Sequence, residues 1–293
     1  MDCIPAIFKE NVMFDLHDDS VKEATQLSHS YGKLASKISA NCFCRLFRVY
    51  GNVLQSEFDY VYGTNTHHPF GEKLKKYHYK TELQLYQNNS IHDIPVNEEL
   101  FKRIFLHAVK WAVFTVTIST TNIDDKLMKL FISQKIPFEI ILNVKPEGNL
   151  VEFIKQLIQS KKIKRLSLKS KEYDKNLIDL VLQLFMQKQF VSFSAEHYYG
   201  GILAELLDRW TINQEIFCLK SVRFPEDIKD VKNIVNQQFR LCSSEECKRI
   251  QKSTSFVNPD DVYTLRTLPG NDHIVHAIRD KEDGKSYMLF KFG

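Results

Sequence analysis

The side chains able to do chemistry are few and scattered. Cys42-x-Cys44 and Cys242-x4-Cys247 each bring two thiols close in sequence, as metal ligands are. A structural zinc site needs four ligands, and neither pair has a His pair beside it at finger spacing. His67-His68 falls in a turn-rich stretch, and His273-x-x-His276 falls on an expected strand, where residues three apart face opposite sides. The spacings therefore predict no metal centre and no resident cofactor. Neither phosphate-cradling glycine phrase, GxGxxG or GxxxxGK[ST], occurs, and Gly200-Gly201 reads as a helix start. The carboxylate pairs Asp18-Asp19, Asp124-Asp125, Glu245-Glu246 and Asp260-Asp261 could do acid–base work. Each sits at an expected helix start or turn, where negative charge favours the helix dipole. No nucleophile-elbow or cysteine-protease phrase accompanies them, so the expectation is a protein that is not an enzyme.

What remains is charge. Lys161, Lys162, Lys164, Arg165, Lys169 and Lys171 form one basic cluster. Such a cluster could touch phosphates. Glu152, Glu172 and Asp174 dilute it, and no aromatic stacking phrase lies nearby. A solvated face or an acidic protein partner therefore ranks ahead of RNA. The net charge of +4 is too small by itself to imply a nucleic-acid partner.

The elements that would position these residues follow from composition and periodicity. With 293 residues, 43% apolar and 26% charged, the chain can bury a sizeable core and reads as globular. It has 21 Phe and 12 Tyr but only 10 Gly and 8 Pro, which disfavours turn-dense sandwiches and leaves helices and short strands. The start of the chain shows no basic or apolar targeting pattern, and no run of about 18 apolar residues could cross a bilayer. The six cysteines are then expected as free thiols in a reducing compartment, cytoplasmic or nuclear.

Four regions are expected. Residues 1–40 read as three short helices, with Ser20 and Glu23 forming a capping box and Tyr31, Leu34, Ala35 and Ile38 on the inner side of the third. Residues 41–95 read as a hairpin and linker, with strands at Phe43–Tyr50 and Phe58–Tyr62 and a surface loop from Thr64 to Gly71. Residues 96–225 repeat a helix followed by a strand. The strand centres fall near Val116, Ile140, Leu166, Val191 and Leu219, a step of about 24–28 residues that lies inside the leucine-rich-repeat range. Ile163-x-x-Leu166-x-Leu168 fits the strand phrase of such repeats. The fold class expected is α/β, a leucine-rich-repeat-like helix–strand solenoid with parallel strands. Residues 226–293 read as a helix and a β-meander, a β-rich C-terminal end that caps the solenoid.

Strand alternation places Thr115, Thr117, Glu139, Ile141, Arg165, Ser167, Lys169, Ser192, Ser194 and Lys220 on the open face, the candidate target-binding surface.

The N-terminal unit resembles an F-box. Ile4-Pro5 stands for the opening Leu-Pro, and Phe8, Val12 and Leu16 follow on the first helix. Leu27 and Ser28-His29-Ser30-Tyr31-Gly32-Lys33-Leu34-Ala35 match the closing phrase, with Tyr31 where that family usually has Trp. The whole chain is similar to nematode F-box-related proteins with an N-terminal F-box-like motif and a C-terminal F-box-associated repeat region. The matching features are Met1-Asp2-Cys3-Ile4-Pro5, Gln187-Lys188-Gln189-Phe190, Trp210 at a helix end, Ser244-Glu245-Glu246-Cys247 with Ile250, and Pro259-x-x-Val262-Tyr263. The resemblance implies a substrate adaptor. Ile4, Pro5, Ile7, Phe8, Val12, Leu16, Leu27, Tyr31 and Leu34 would dock a Skp1-type protein bound to a cullin ligase, and the repeats would hold a target for ubiquitin transfer. The setting would be ordinary turnover, immunity or a toxin–antidote conflict. The alternatives are a Skp1-independent scaffold or neutralising partner and, more distantly, an RNA-binding protein.

Overall fold

The computed structural model describes residues 24–27, 29–50, 53–61, 67–69, 77–87, 94, 95, 99, 113–134, 137–171, 175–197, 201–243, 245–247, 262–266, 274–282 and 285–293. The expected first helix and the helical stripe from Leu100 to Val109 lie outside them. The fold is mixed α/β, and the chain divides into two compact units.

The first unit comprises residues 1–117 and 124–130. Leu27 N–H donates to the Ala24 carbonyl, closing a turn ahead of helix α1 (His29–Asn41). Gly32 is required there, because a Cβ at that position would lie 1.9 Å from the Leu27 carbonyl oxygen. Strand β1 (Cys42–Tyr50) pairs antiparallel with β2 (Val53–Val61), forming the expected hairpin. A short strand β3 (His67–Pro69), where the sequence suggested only a loop, and a two-residue strand β5 (Ile94–Pro95) both pair with β2. On its other edge β1 pairs in parallel with β4 (Tyr77–Tyr86), in register from Cys44 with Lys80 to Tyr50 with Tyr86. This position between two strands explains why Cys44, Arg45, Leu46, Phe47 and Val49 are all buried. Beyond β4 lies β6 (Val113–Ser119), where the Thr117 hydroxyl donates to Glu82 at 3.4 Å. Asp124 caps the next helix, α2 (Asp125–Ser133), by accepting from the N–H groups of Lys126 and Leu127.

The second unit comprises residues 118–123 and 131–293. Here strand and helix alternate: β7 (Phe138–Leu142), α3 (Asn149–Gln159), β8 (Ile163–Leu168), α4 (Lys175–Phe185), β9 (Ser192–Ala195), α5 (Ile202–Ile212), the one-turn α6 (Gln214–Phe217) and β10 (Ser221–Pro225). The four strands lie side by side in chain order and run parallel. Ile140, Leu166, Phe193 and Val222 form one register row, with steps of 26, 27 and 29 residues. All four are buried, as are their strand neighbours two residues on, Leu142, Leu168, Ala195 and Phe224. Against them pack the apolar stripes of the helices, including Phe153, Leu157, Leu180, Leu184, Leu203 and Trp210. Helix α3 contacts α4, and α4 contacts α5.

One expected element is corrected. Ile216-Phe217-Cys218-Leu219 reads as a strand by composition, but Gln214–Phe217 is helical and the strand starts at Ser221. The aromatic core decides this. Phe217 is fully buried, with its ring centroid 5.6 Å from Phe185 and 5.2 Å from Phe292. A helical turn delivers that ring while leaving Cys218 and Leu219 outside, with Leu219 at positive φ.

The C-terminal region is a meander, as expected. After α7 (Lys229–Gln238), strands β11 (Arg240–Leu241), β12 (Val262–Arg266), β13 (Ile274–Glu282) and β14 (Lys285–Phe292) follow, each antiparallel to the next. β14 then pairs antiparallel with β10, so the meander extends the parallel sheet and covers its open edge. Ser243 and Glu246 form a reciprocal capping box.

Within the second unit, polar side chains tie successive helix–strand segments. Asn149, at the start of α3, accepts from the Ile123 N–H and donates to the Ile123 carbonyl at 2.7 Å and to Asn122 at 3.0 Å. Lys162, just before β8, donates to the Gln134 carbonyl after α2. Gln187 donates to the Ile158 carbonyl in the last turn of α3 at 2.8 Å. Lys220, just before β10, donates to the carbonyls of Phe185 and Gln187 at the end of α4. The ends of α2, α3 and α4 thus each present carbonyls that a side chain from a later segment reaches. Replacing Asn149 with Ala should cost about 1–3 kcal/mol, because it strands the Ile123 amide and carbonyl. Urea unfolding with fluorescence detection measures this, and an unchanged midpoint would contradict the assignment.

Candidate protein-interaction face and cleft

The parallel register sorts the strand residues into rows. Alternating with the core rows, Glu139, Arg165, Ser192 and Ser221 form one row, and Ile141, Ser167, Ser194 and Arg223 form the next. All eight are partly exposed, so this is the open face of the sheet. The sequence placed Glu139, Ile141, Arg165, Ser167, Ser192 and Ser194 on that face, and the structure brings them together there. Lys169 lies just past the end of β8 and is exposed.

Three assignments are corrected. Thr115 and Thr117 are buried in the first unit, because β6 is covered on both faces. Lys220 is 3% exposed, and its side chain turns inward to the carbonyls ending α4, with its ammonium 5.8 Å from the centre of the Phe217 ring. None of the three belongs to an open binding surface. Of the residues assigned to Skp1 docking, Ile4, Pro5, Ile7, Phe8, Val12 and Leu16 lie outside the described residues. Leu27 is 55% exposed, while Tyr31 and Leu34 are half-buried.

Three residues missed by the sequence reading belong to this region: Ser221, Arg223 and Tyr287. Arg223 extends along the sheet so that its guanidinium lies 3.9 Å from the centre of the Tyr287 ring. The signal was present as the alternation of Val222 and Phe224 with Ser221, Arg223 and Pro225. It is hidden when Ile216–Leu219 is read as the strand, five residues ahead of its start at Ser221.

The basic cluster does not act as one patch. Arg165 pairs with Glu139 at 3.0 Å on the neighbouring strand, Lys169 approaches Glu196 to 3.9 Å, and Lys162 is committed to the Gln134 carbonyl. Lys161, Lys164 and Lys171 remain exposed at separate places along the unit. A continuous phosphate backbone would meet alternating signs across this face, which weighs against RNA.

At the carboxyl ends of β8, β9 and β10 the second unit opens into a cleft of about 820 Å³. Lys171 enters from beyond β8, Glu196 and His197 from beyond β9, and Pro225, Glu226, Asp227 and Ile228 from the end of β10. Lys232 on α7 and Ser286 and Tyr287 on β14 complete it. Parallel sheets with helical returns commonly place ligands at this end, where the loops diverge. Glu226 is engaged by Arg279 at 2.7 Å.

Elsewhere the chemistry is structural. Cys44 and Cys242 are buried, Cys247 is half-buried, Cys218 is exposed, and all four are free thiols. Burial pushes the Cys242 thiol above its ordinary range. Arg240, donating to Glu246, holds that carboxyl down to about 2. Among the described residues no three His, Cys, Asp or Glu side chains converge on a common point, and no helix is long and apolar enough to cross a membrane.

No protein-family model, curated protein or solved structure matches the chain.

Burial lowers the Lys220 pKa from 10.5 to about 8. Between those values the unfolded chain holds a proton that the folded chain has released, so stability rises with pH across that window. Below pH 8 both states are protonated and the penalty is complete. Urea midpoints from pH 8 to 10.5 should climb in the parent relative to Lys220→Met, which lacks the titrating group. Parallel pH profiles for the two proteins would contradict the inward placement of Lys220.

Proposed function

We propose that the chain is the substrate-recognition adaptor of a Skp1–cullin–F-box ubiquitin ligase. Residues 1–38 act as an F-box-like helical unit that docks a Skp1-type protein. The alternating strands and helices from β7 to β10 act as a leucine-rich-repeat-like solenoid that holds a target protein. No residue of the chain performs the ubiquitin chemistry, which the ligase supplies.

The observation that carries this proposal is the open face built by the parallel register. Charged, hydroxyl and aliphatic side chains from three or four consecutive strands form adjoining rows, while the core residues point the other way. Such a surface suits protein recognition, because many small contacts accumulate over a rigid sheet. The docking half is supported by Leu27, an apolar side chain held outward by the turn that Gly32 permits. Exposed apolar side chains of this kind are what a helical docking interface needs.

A second reading is favoured by α1. Ala35 is fully buried, and Tyr31 and Leu34 are half-buried, so the inner side of this helix also serves the first unit. In that reading the chain is a Skp1-independent scaffold or a neutralising partner.

One reconstitution separates the two. The purified chain, mixed with a purified Skp1-type protein, should co-elute with it on size exclusion. Pro5→Ala with Phe8→Ala, and separately Leu27→Glu, should abolish co-elution while leaving circular dichroism unchanged. No co-elution of the parent, or co-elution untouched by both variants, would sink the adaptor proposal.

A further inference from the structure

The cleft at the strand ends has a charge balance that selects a class of ligand. Two of its acids already have cationic partners: Glu226 with Arg279 at 2.7 Å, and Glu196 with Lys169 at 3.9 Å. Among the described residues the side chains of Lys171, His197, Lys232 and Asp227 make no hydrogen bond or ion pair. Among the described residues, two lysines and an imidazole from three different elements therefore face the cleft against one carboxylate without an ion pair. One wall is apolar, formed by Pro225, Ile228 and the ring of Tyr287, and Arg223 brings another cation against that ring at 3.9 Å.

We infer that this cleft is a binding site for an acidic peptide segment of the target protein, one with two or three Asp or Glu residues flanking an apolar side chain. The volume of about 820 Å³ lies within the range of ligand sites and suits a few residues of extended chain. The carboxylates would meet Lys171, Lys232 and the His197 ring, and the apolar side chain would lie on Pro225 and Tyr287. A nucleic acid fits less well. Its unbroken line of phosphates would have to pass Asp227, Glu196 and Glu226, whereas a peptide can space its charges around them. The inference rests on the recognition proposal for its biological meaning. It is measured without any Skp1-type protein, so its failure and the failure of the docking proposal are distinguishable.

The test uses the full chain and three fluorescent probes: a pool of twelve-residue peptides bearing Glu around a central Leu or Phe, the same pool with Lys for Glu, and a single-stranded RNA. Fluorescence polarisation should show binding of the Glu pool, weakening with added salt, and no comparable binding of the Lys pool. Lys171→Glu with Lys232→Glu should weaken binding about tenfold or more. Both lysines are exposed, and a thermal melt checks that the variant folds. Asp227→Asn removes the opposing carboxylate and should tighten binding, an outcome that misfolding cannot produce. Absence of Glu-over-Lys preference, or binding indifferent to both variants, would overturn the inference. RNA retention that depends on the same two lysines would overturn it in favour of a nucleic-acid site.

Discussion

Near the ends of helices α2, α3 and α4 stand carbonyl groups that side chains from later segments reach. A later segment satisfies them: Lys162 reaches the Gln134 carbonyl, Gln187 that of Ile158, and Lys220 those of Phe185 and Gln187. Without the later segment these carbonyls would lose those donors, and the apolar face of the helix would lose its cover. The constraint therefore works in both directions. Each helix–strand segment gains contacts from the next, which sits at a fixed offset to reach the carbonyls. That offset is the register seen in the sheet, with Ile140, Leu166, Phe193 and Val222 in one row.

Register then determines which side chains are exposed. Because side chains alternate strictly along a strand, a fixed offset that buries one row exposes the next. The exposed rows contain cross-strand neighbours of unlike chemistry, such as Glu139 with Arg165 and Ile141 with Ser167. Where the strands end, their loops diverge and leave a cleft lined by Lys171 after β8, His197 after β9 and Lys232 of α7. The covering of β10 by β14 ends the parallel series without leaving a bare edge. It also contributes Tyr287, which links the open face to the cleft.

Much of the fold was legible where local and tertiary demands agree. Phe138–Leu142 and Ile163–Leu168 are short runs rich in branched apolar residues and are strands, each after an amphipathic stripe. Failures came where the core overrides composition. Ile216-Phe217-Cys218-Leu219 has strand composition, but the core needs the Phe217 ring beside Phe185 and Phe292, and a helical turn supplies it. Lys220 looked like a surface residue because burial of a lysine is rare, and its carbonyl partners lie more than thirty residues away in sequence. Strand β4 was overlooked although Thr81, Leu83 and Leu85 alternate with Glu82, Gln84 and Tyr86, the period of a half-buried strand. The cleft was not legible at all, since it joins residues from Lys171 to Tyr287 through tertiary placement alone.

The central claim is that one end of the chain engages a ligase while the sheet and cleft engage a target. Affinity purification of the full chain from cells, read by quantitative mass spectrometry, tests both at once. The parent should recover a Skp1-type protein, a cullin and a further protein. Pro5→Ala with Phe8→Ala should lose the first two and keep the third, and Lys171→Glu with Lys232→Glu should do the reverse. Recovery of no Skp1-type protein by the parent, or loss of all partners together with either variant, would contradict the account.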